Sequence, residues 1–279
     1  VYVNCHTYYS LRYGTLSPED LVATAAAQGV TVMALTDINN TSCTFEFIAA
    51  CKKHDIKPVA GIEFRREHQF LYVGLARNEE GWHNLCAFLS EHSLEDKPLP
   101  QVMPPIKDVF IIYRRLAKPL ADFYDYEYLG VRPEEVNKLY RSDTSQHPDK
   151  LVVFHPVTFT DEDGFRTHKL LRCIDRNIVL GKLTPQDHAP ATEVWLTPDT
   201  LRKAFQQYPR IIANTEQMLE ACSIDMTCSH QHNRRAFTGQ AGGDQKLLTK
   251  LALNGCERRY GLHHRQALER TQKELKIIF

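Results

Sequence analysis

The sequence contains no C-x-x-C pair, although it carries eight cysteines, at 5, 43, 51, 86, 173, 222, 228 and 256. The disulfide framework of a small secreted protein is therefore missing. The expectation is reduced thiols in a cytoplasmic protein. Excess charge is missing too. Lysine plus arginine total 34, aspartate plus glutamate total 34, and the formal net charge is zero. That balance argues against a strongly basic nucleic-acid module, while leaving room for a modest groove inside a larger assembly. No apolar run approaches the roughly 18 residues of a membrane helix, and no signal peptide is recognisable. There is no internal repeat and no low-complexity tract. What remains is 279 residues, 43% hydrophobic and 24% charged, enough for a sizeable core in one large domain or two ordinary ones.

The chain alternates strands and helices. "LSPEDLVATAAAQG" predicts a helix with Ser17 as N-cap, Pro18 in the first turn and Gly29 at the end. "VTVMALTD" predicts a buried strand ending at Asp37, and Thr41 to His54 a second helix. "KPVAGIEF" predicts a third strand ending near Glu63. This order implies parallel strands with right-handed crossovers. Further strands are expected at "QFLYVGLA", "DVFIIY", "YEYLGV" and "KLVVFHP". Helices are expected around Trp82, Leu85, Cys86 and Leu89, and at "RPEEVNKLYR", "GFRTHKLLRCIDR" and "TPDTLRKAFQQY". The polar, glycine-bearing stretch Cys228 to Asp244 marks the domain boundary, giving domains 1–228 and 229–279. Two amphipathic helices follow. The second carries Leu268, Thr271, Leu275 and Ile278 on one face, and the closing "ELKIIF" is expected to stop in mid-helix, before the end of a longer chain.

Three chemically active residues fall at successive strand ends: His6, Asp37 and Glu63. In a parallel β/α barrel, the C-terminal strand ends are where functional side chains gather. One imidazole and two carboxylates suit zinc, manganese or iron. The alternative is that each makes only local hydrogen bonds at its loop. Asn4 stands two residues before His6 and so points the same way on a strand. An H-x-H pair would send two ligands into one pocket, but here the first is an amide.

"NCHTYYSLRYGT", "LVATAAAQGVTVMALTDINN" and "HDIKPVAGIEF" resemble the start of the polymerase-and-histidinol-phosphatase (PHP) domain. The form resembled is that at the N-terminus of the bacterial replicative (C-family) DNA polymerase III alpha subunit. "FRTHKLLRCIDRNIVLGKL", "YPRIIANTEQMLEACSIDM", "FTG", "LLTKLALNGCERRYG" and "RTQKELKIIF" extend the resemblance toward the polymerase palm, while about 91–150 matches poorly. The resemblance implies a distorted (β/α)7-type barrel followed by a short helical segment. It also implies a site of about nine ligands, mostly histidines and carboxylates, for a metal cluster. Placed residue by residue, this chain keeps His6, Asp37 and Glu63. Asn4, Ile38, Leu71, Pro156 and Thr158 stand in lost ligand positions, and His155 is one place out of register. The pattern reads as a vestigial site, with no metal and no catalytic residue expected. His6, Arg12, Arg65 or Arg66 would then partner the two carboxylates.

The tract Cys228-Ser-His230-Gln-His232 reads as a solvated loop and Cys5 as core. The basic residues of "RRAF", with Arg258, Arg259, Arg265 and Arg270, read equally as a solvated helix face or as a contact for nucleic acid or another domain. The resemblance implies a parent DNA-directed DNA polymerase, a nucleotidyltransferase working with magnesium, whose catalytic aspartates lie beyond Phe279. It also implies a scaffold role. The partners would be the rest of the alpha subunit and a proofreading exonuclease subunit, with primer–template DNA and the sliding clamp reached through the parent protein. Two alternatives stand beside it: an active phosphoesterase or 3'–5' exonuclease using zinc or manganese, and a module that contacts DNA directly.

Overall fold

The computed structural model describes residues 1–116, 118–140, 142–225 and 236–279. The chain divides into two compact units, Val1–Met226 and Thr227–Phe279. The expected boundary at 228/229, the Cys228/His230/His232 tract and the arginines of "RRAF" lie outside the described residues.

The first unit begins with β1 (Asn4–Cys5), α1 (Pro18–Ala27), β2 (Val32–Leu35), α2 (Thr44–Lys53) and β3 (Lys57–Arg66). Ser17 caps α1 by accepting the Asp20 N–H at 3.0 Å. Leu21, Val22 and Ala25 bury one face of the helix. β2 and β3 pair in parallel, as the intervening helix requires. Then come β4 (Gln69–Ala76), α3 (Glu79–Leu94), β5 (Val109–Tyr113), β6 (Glu127–Val131), α4 (Val136–Leu139), β7 (Leu151–Val153) and β8 (Pro156–Val157). The unit ends with α5 (Glu162–Arg176), α6 (Pro198–Ala204) and α7 (Pro209–Glu220).

The architecture is α/β, built on a strongly curled six-stranded sheet with a two-stranded sheet beside it. Strands β2 to β7 pair in sequence order, and β8 pairs with β1 in parallel. A bridge between Tyr2 and Met33, with Thr36 N–H donating to Cys5 carbonyl at 3.0 Å, links β1 to β2. β8 follows β7 after two residues, so the two ends of the sheet are drawn together at β1. One expected feature differs. β4 runs antiparallel to both β3 and β5. Only a short polar turn joins "GIEF" to "QFLYV", and a parallel return needs a crossover of about a dozen residues or more. The expected helix at "RPEEVNKLYR" shrinks to a 3-10 turn at Pro133–Glu135 and the single turn of α4.

Apolar residues cover both faces of the sheet. Phe47, Phe64 and Leu85 lie in one cluster with the flanking helices, while Val59, Val73 and Ile112 lie in another with Met218 and Leu219 of α7. In the second unit, α8 (Gly243–Tyr260) and α9 (Arg265–Ile278) contact each other. Of the apolar face expected on α9, Leu275 is buried while Leu268 and Ile278 are exposed. No helix among the described residues is long and apolar enough to cross a membrane.

Candidate functional site

The site is assembled where β1 and β8 end beside β3. The strand expected to end near Glu63 runs on to Arg66, because it continues to pair with β4 there, so Glu63 lies within it. Parallel pairing sets Asn4 opposite Pro156 and Cys5 opposite Val157, and Ile38 bridges to Glu63. Asn4 and His6 both reach Glu63, as their spacing of two requires. Asn4 Nδ2 donates to Glu63 Oε2 at 2.6 Å. His6 Nε2 lies 3.1 Å from the same oxygen. The other carboxylate oxygen, Oε1, accepts from Arg65 Nε. The second His6 nitrogen, Nδ1, lies 3.0 Å from Thr158 Oγ1. Thr158 Oγ1 in turn donates to Glu193 Oε2 at 2.8 Å. Glu193 Oε1 accepts from Arg132 Nη2 at 3.1 Å.

The result is a continuous chain, Arg65–Glu63–His6–Thr158–Glu193–Arg132, buried from Glu63 to Glu193 and partly exposed at the two arginines. Glu63 is 1% exposed and Glu193 4%. Burial opposes ionisation of Glu63, but the charges of Arg65 and His6 and the bonds from His6 and Asn4 outweigh it, holding the carboxyl down at about 2. The Arg65 guanidinium lies over the Tyr13 ring, 4.3 Å from its centroid. Burial opposes its charge, and Glu63 more than compensates, so the guanidinium stays firmly protonated.

Asp37 has partners of its own. It accepts from Thr7 N–H at 2.7 Å, from Thr7 Oγ1 at 2.7 Å and from Ser10 Oγ at 2.6 Å. Burial raises its pKa in spite of these bonds. His155 bonds through Nε2 to the Val194 carbonyl at 2.8 Å, apart from the Glu63 network. Leu71 and Pro156 line a cavity of about 590 Å³ together with Glu63, Arg65, Arg132 and Glu193.

The donor set does not fit the metal cluster implied by the resemblance. Ile38, Leu71 and Pro156 carry no ligand atom, Asn4 offers an amide, and Thr158 a hydroxyl already engaged. Both Glu63 oxygens and both His6 nitrogens already have side-chain partners. Among the described residues, no three His, Cys, Asp or Glu side chains are grouped to hold a metal ion.

Of the arginines expected near the carboxylates, Arg65 is the one in place. Arg12 pairs with Asp175, and Arg66 donates to the Leu99 carbonyl. Glu193 and Arg132 were not foreseen. Both come from connecting segments distant in sequence. The Phe159–Val194 bridge and the Thr158 N–H bond to the Glu193 carbonyl at 2.9 Å set Glu193 beside Thr158, and Arg132, just past β6, reaches Glu193. Thr7 and Ser10 were also missed, although hydroxyls in the loop after β1 are natural donors to an Asp at the end of β2. His168 is a further buried group. Its Nδ1 lies 2.6 Å from the Tyr13 carbonyl, and the Ala189 N–H donates to its Nε2 at 2.8 Å. It thus fixes the loop that carries Tyr13.

The PHP domain family matches residues 3–122. An error-prone DNA polymerase from Symbiobacterium thermophilum is 23% identical over 326 aligned positions, covering 100% of this chain and 30% of that protein. DNA polymerase III subunit alpha from Buchnera aphidicola subsp. Schizaphis graminum is 20% identical, covering 80% of this chain and 23% of that protein. The subunit of the same name from Bacillus subtilis is 20% identical, covering 100% of this chain and 28% of that protein. The chain therefore spans less than a third of the length of these curated relatives.

Proposed function

This chain carries a PHP domain related to the N-terminal region of DNA polymerase III alpha subunits and of an error-prone polymerase, and on that premise we propose that it serves as a metal-free, non-catalytic scaffold. In this reading it braces a polymerase core and offers the docking surface for a proofreading exonuclease subunit. Magnesium-dependent nucleotide transfer, and the contacts to primer–template DNA and the sliding clamp, belong to the larger protein. The observation that carries the reading is Glu63, whose two oxygens already accept from Asn4, His6 and Arg65. Phosphoester hydrolysis of the PHP kind needs metal ions to generate hydroxide and to neutralise the phosphoryl oxygens. Here an ion would have to displace a guanidinium and would still lack donors at positions 38, 71 and 156.

The test is elemental analysis of protein purified without affinity metal, together with a phosphoester assay with and without chelator. Metal far below one ion per chain and no turnover are expected. Near-stoichiometric zinc or manganese, with turnover that stops on chelation, overturns the reading in favour of a phosphoesterase. For docking, titration with the proofreading exonuclease subunit should give a saturable complex, and no binding at tens of micromolar defeats that half.

A further inference from the structure

We infer that Arg65 and Arg132 now supply the positive charge that metal ions supply in metal-binding members of the family, and that Arg65 itself excludes a metal from Glu63. The inference rests on the metal-free reading above. Two buried carboxylates face this site, and each has its own guanidinium: Arg65 on Glu63 and Arg132 on Glu193. An isolated carboxylate buried to this degree is costly, so whatever replaces a metal must bring both charge and hydrogen-bond donors. A guanidinium does both. It keeps its charge when buried, and its planar fork matches a carboxylate. Tyr13 stacks on Arg65 and holds it in place. Between the two ion pairs, His6 and Thr158 complete the chain of contacts. The chain of contacts ties β1, β3, the end of β8 and the segment around Glu193 into one network. A divalent ion at Glu63 would lie beside the Arg65 charge. Loss of histidine donors is then only half of why the site holds no metal.

The test is a pair of double-mutant cycles read by thermal denaturation of the chain. Glu63→Gln and Arg65→Met should each lower Tm by about 10 °C, because each strands a buried polar partner. The double variant should lose less than either single one. Glu193→Gln and Arg132→Met should show the same sign of coupling. Additive losses in both cycles overturn the inference. If Arg65→Met yields no folded protein, Arg65→Lys decides: a folded variant supports the charge role, and an unfolded one overturns it.

A metal arm completes the test. With Asn4→His alone, added zinc should leave Tm within about 1 °C. With Asn4→His/Arg65→Ala, zinc should raise it by several degrees. Equal zinc stabilisation in the two variants refutes exclusion by Arg65. Metal or turnover in the unaltered chain instead defeats the scaffold reading, so the two failures are distinguishable.

Discussion

Asp37 accepts three hydrogen bonds in a buried setting, two of them from hydroxyls that can reverse their role. Asn at this position keeps an oxygen for Thr7 N–H and Ser10 Oγ, and its amide can donate to Thr7 Oγ1. Asp37→Asn should therefore stay within about 0.5–1 kcal/mol of the parent, while Asp37→Ala should cost about 1–3 kcal/mol by stranding the donors. Chemical denaturation of both variants checks the order. His168 gives a pH prediction. Burial, helped by the charges of Arg172 and His188, pushes it from the usual 6.5 down to about 4, against the bond to the Tyr13 carbonyl. The unfolded chain therefore takes up the proton first as pH falls. Stability from this group is full above pH 6.5 and is lost between 6.5 and about 4, by about 3 kcal/mol. His168→Gln should flatten that part of a stability-against-pH curve. Glu63, depressed from 4.5 to about 2, adds its own loss only below pH 4.5. Asn4 and His6, two apart across the end of β1, were legible as a pair in the sequence. The partners Glu193 and Arg132 were not, because contacts across 35 and 61 residues depend on the return of the segment around Glu193 to pair with the chain just after β8.

Elements with a cap, a punctuating glycine and one period were legible. Ser17, Pro18 and Gly29 bracket α1. Of the expected face Trp82, Leu85, Cys86 and Leu89 of α3, the first two are buried and the others half-buried, with Phe88 buried beside them. Strand direction was less legible, because a buried strand reads alike in parallel and antiparallel neighbours. The cue lay in the connection: five polar residues between two apolar runs admit a hairpin and no crossover. Its tight turn places Glu67 in the left-handed region. The start of α3 offers a test of close packing at this scale. A Cβ on Gly81 would lie 2.0 Å from the Asp108 carbonyl oxygen, whereas a Cβ on Gly181 would meet nothing within 4 Å. Gly81→Ala should cost about 2–3 kcal/mol, since the opposing atom is backbone and has little room to yield. Gly181→Ala should change stability by less than about 0.5 kcal/mol. Urea titrations of the two alanine variants separate packing from propensity, because both gain the same side chain.

At the scale of the whole molecule, the two units differ in what can hold them together. The first contains the large apolar clusters on both faces of the sheet, together with the buried ion-pair network. In the second, only Cys256 and Leu275 are buried among the described residues, while Leu251, Leu262 and Ile277 are exposed. Two helices with so little buried surface do not offset the chain entropy of ordering them, and isolated helices of this length are marginal in water. Residues 1–225 produced alone should therefore unfold in one cooperative thermal transition, with the near-ultraviolet signature of a packed aromatic core. A peptide of residues 236–279 should show at most partial helicity by circular dichroism, with no cooperative melt. A cooperative transition in the peptide would mean that α8 and α9 form a core of their own. A non-cooperative melt of residues 1–225 would mean that the sheet and its ion pairs need the rest of the chain to fold.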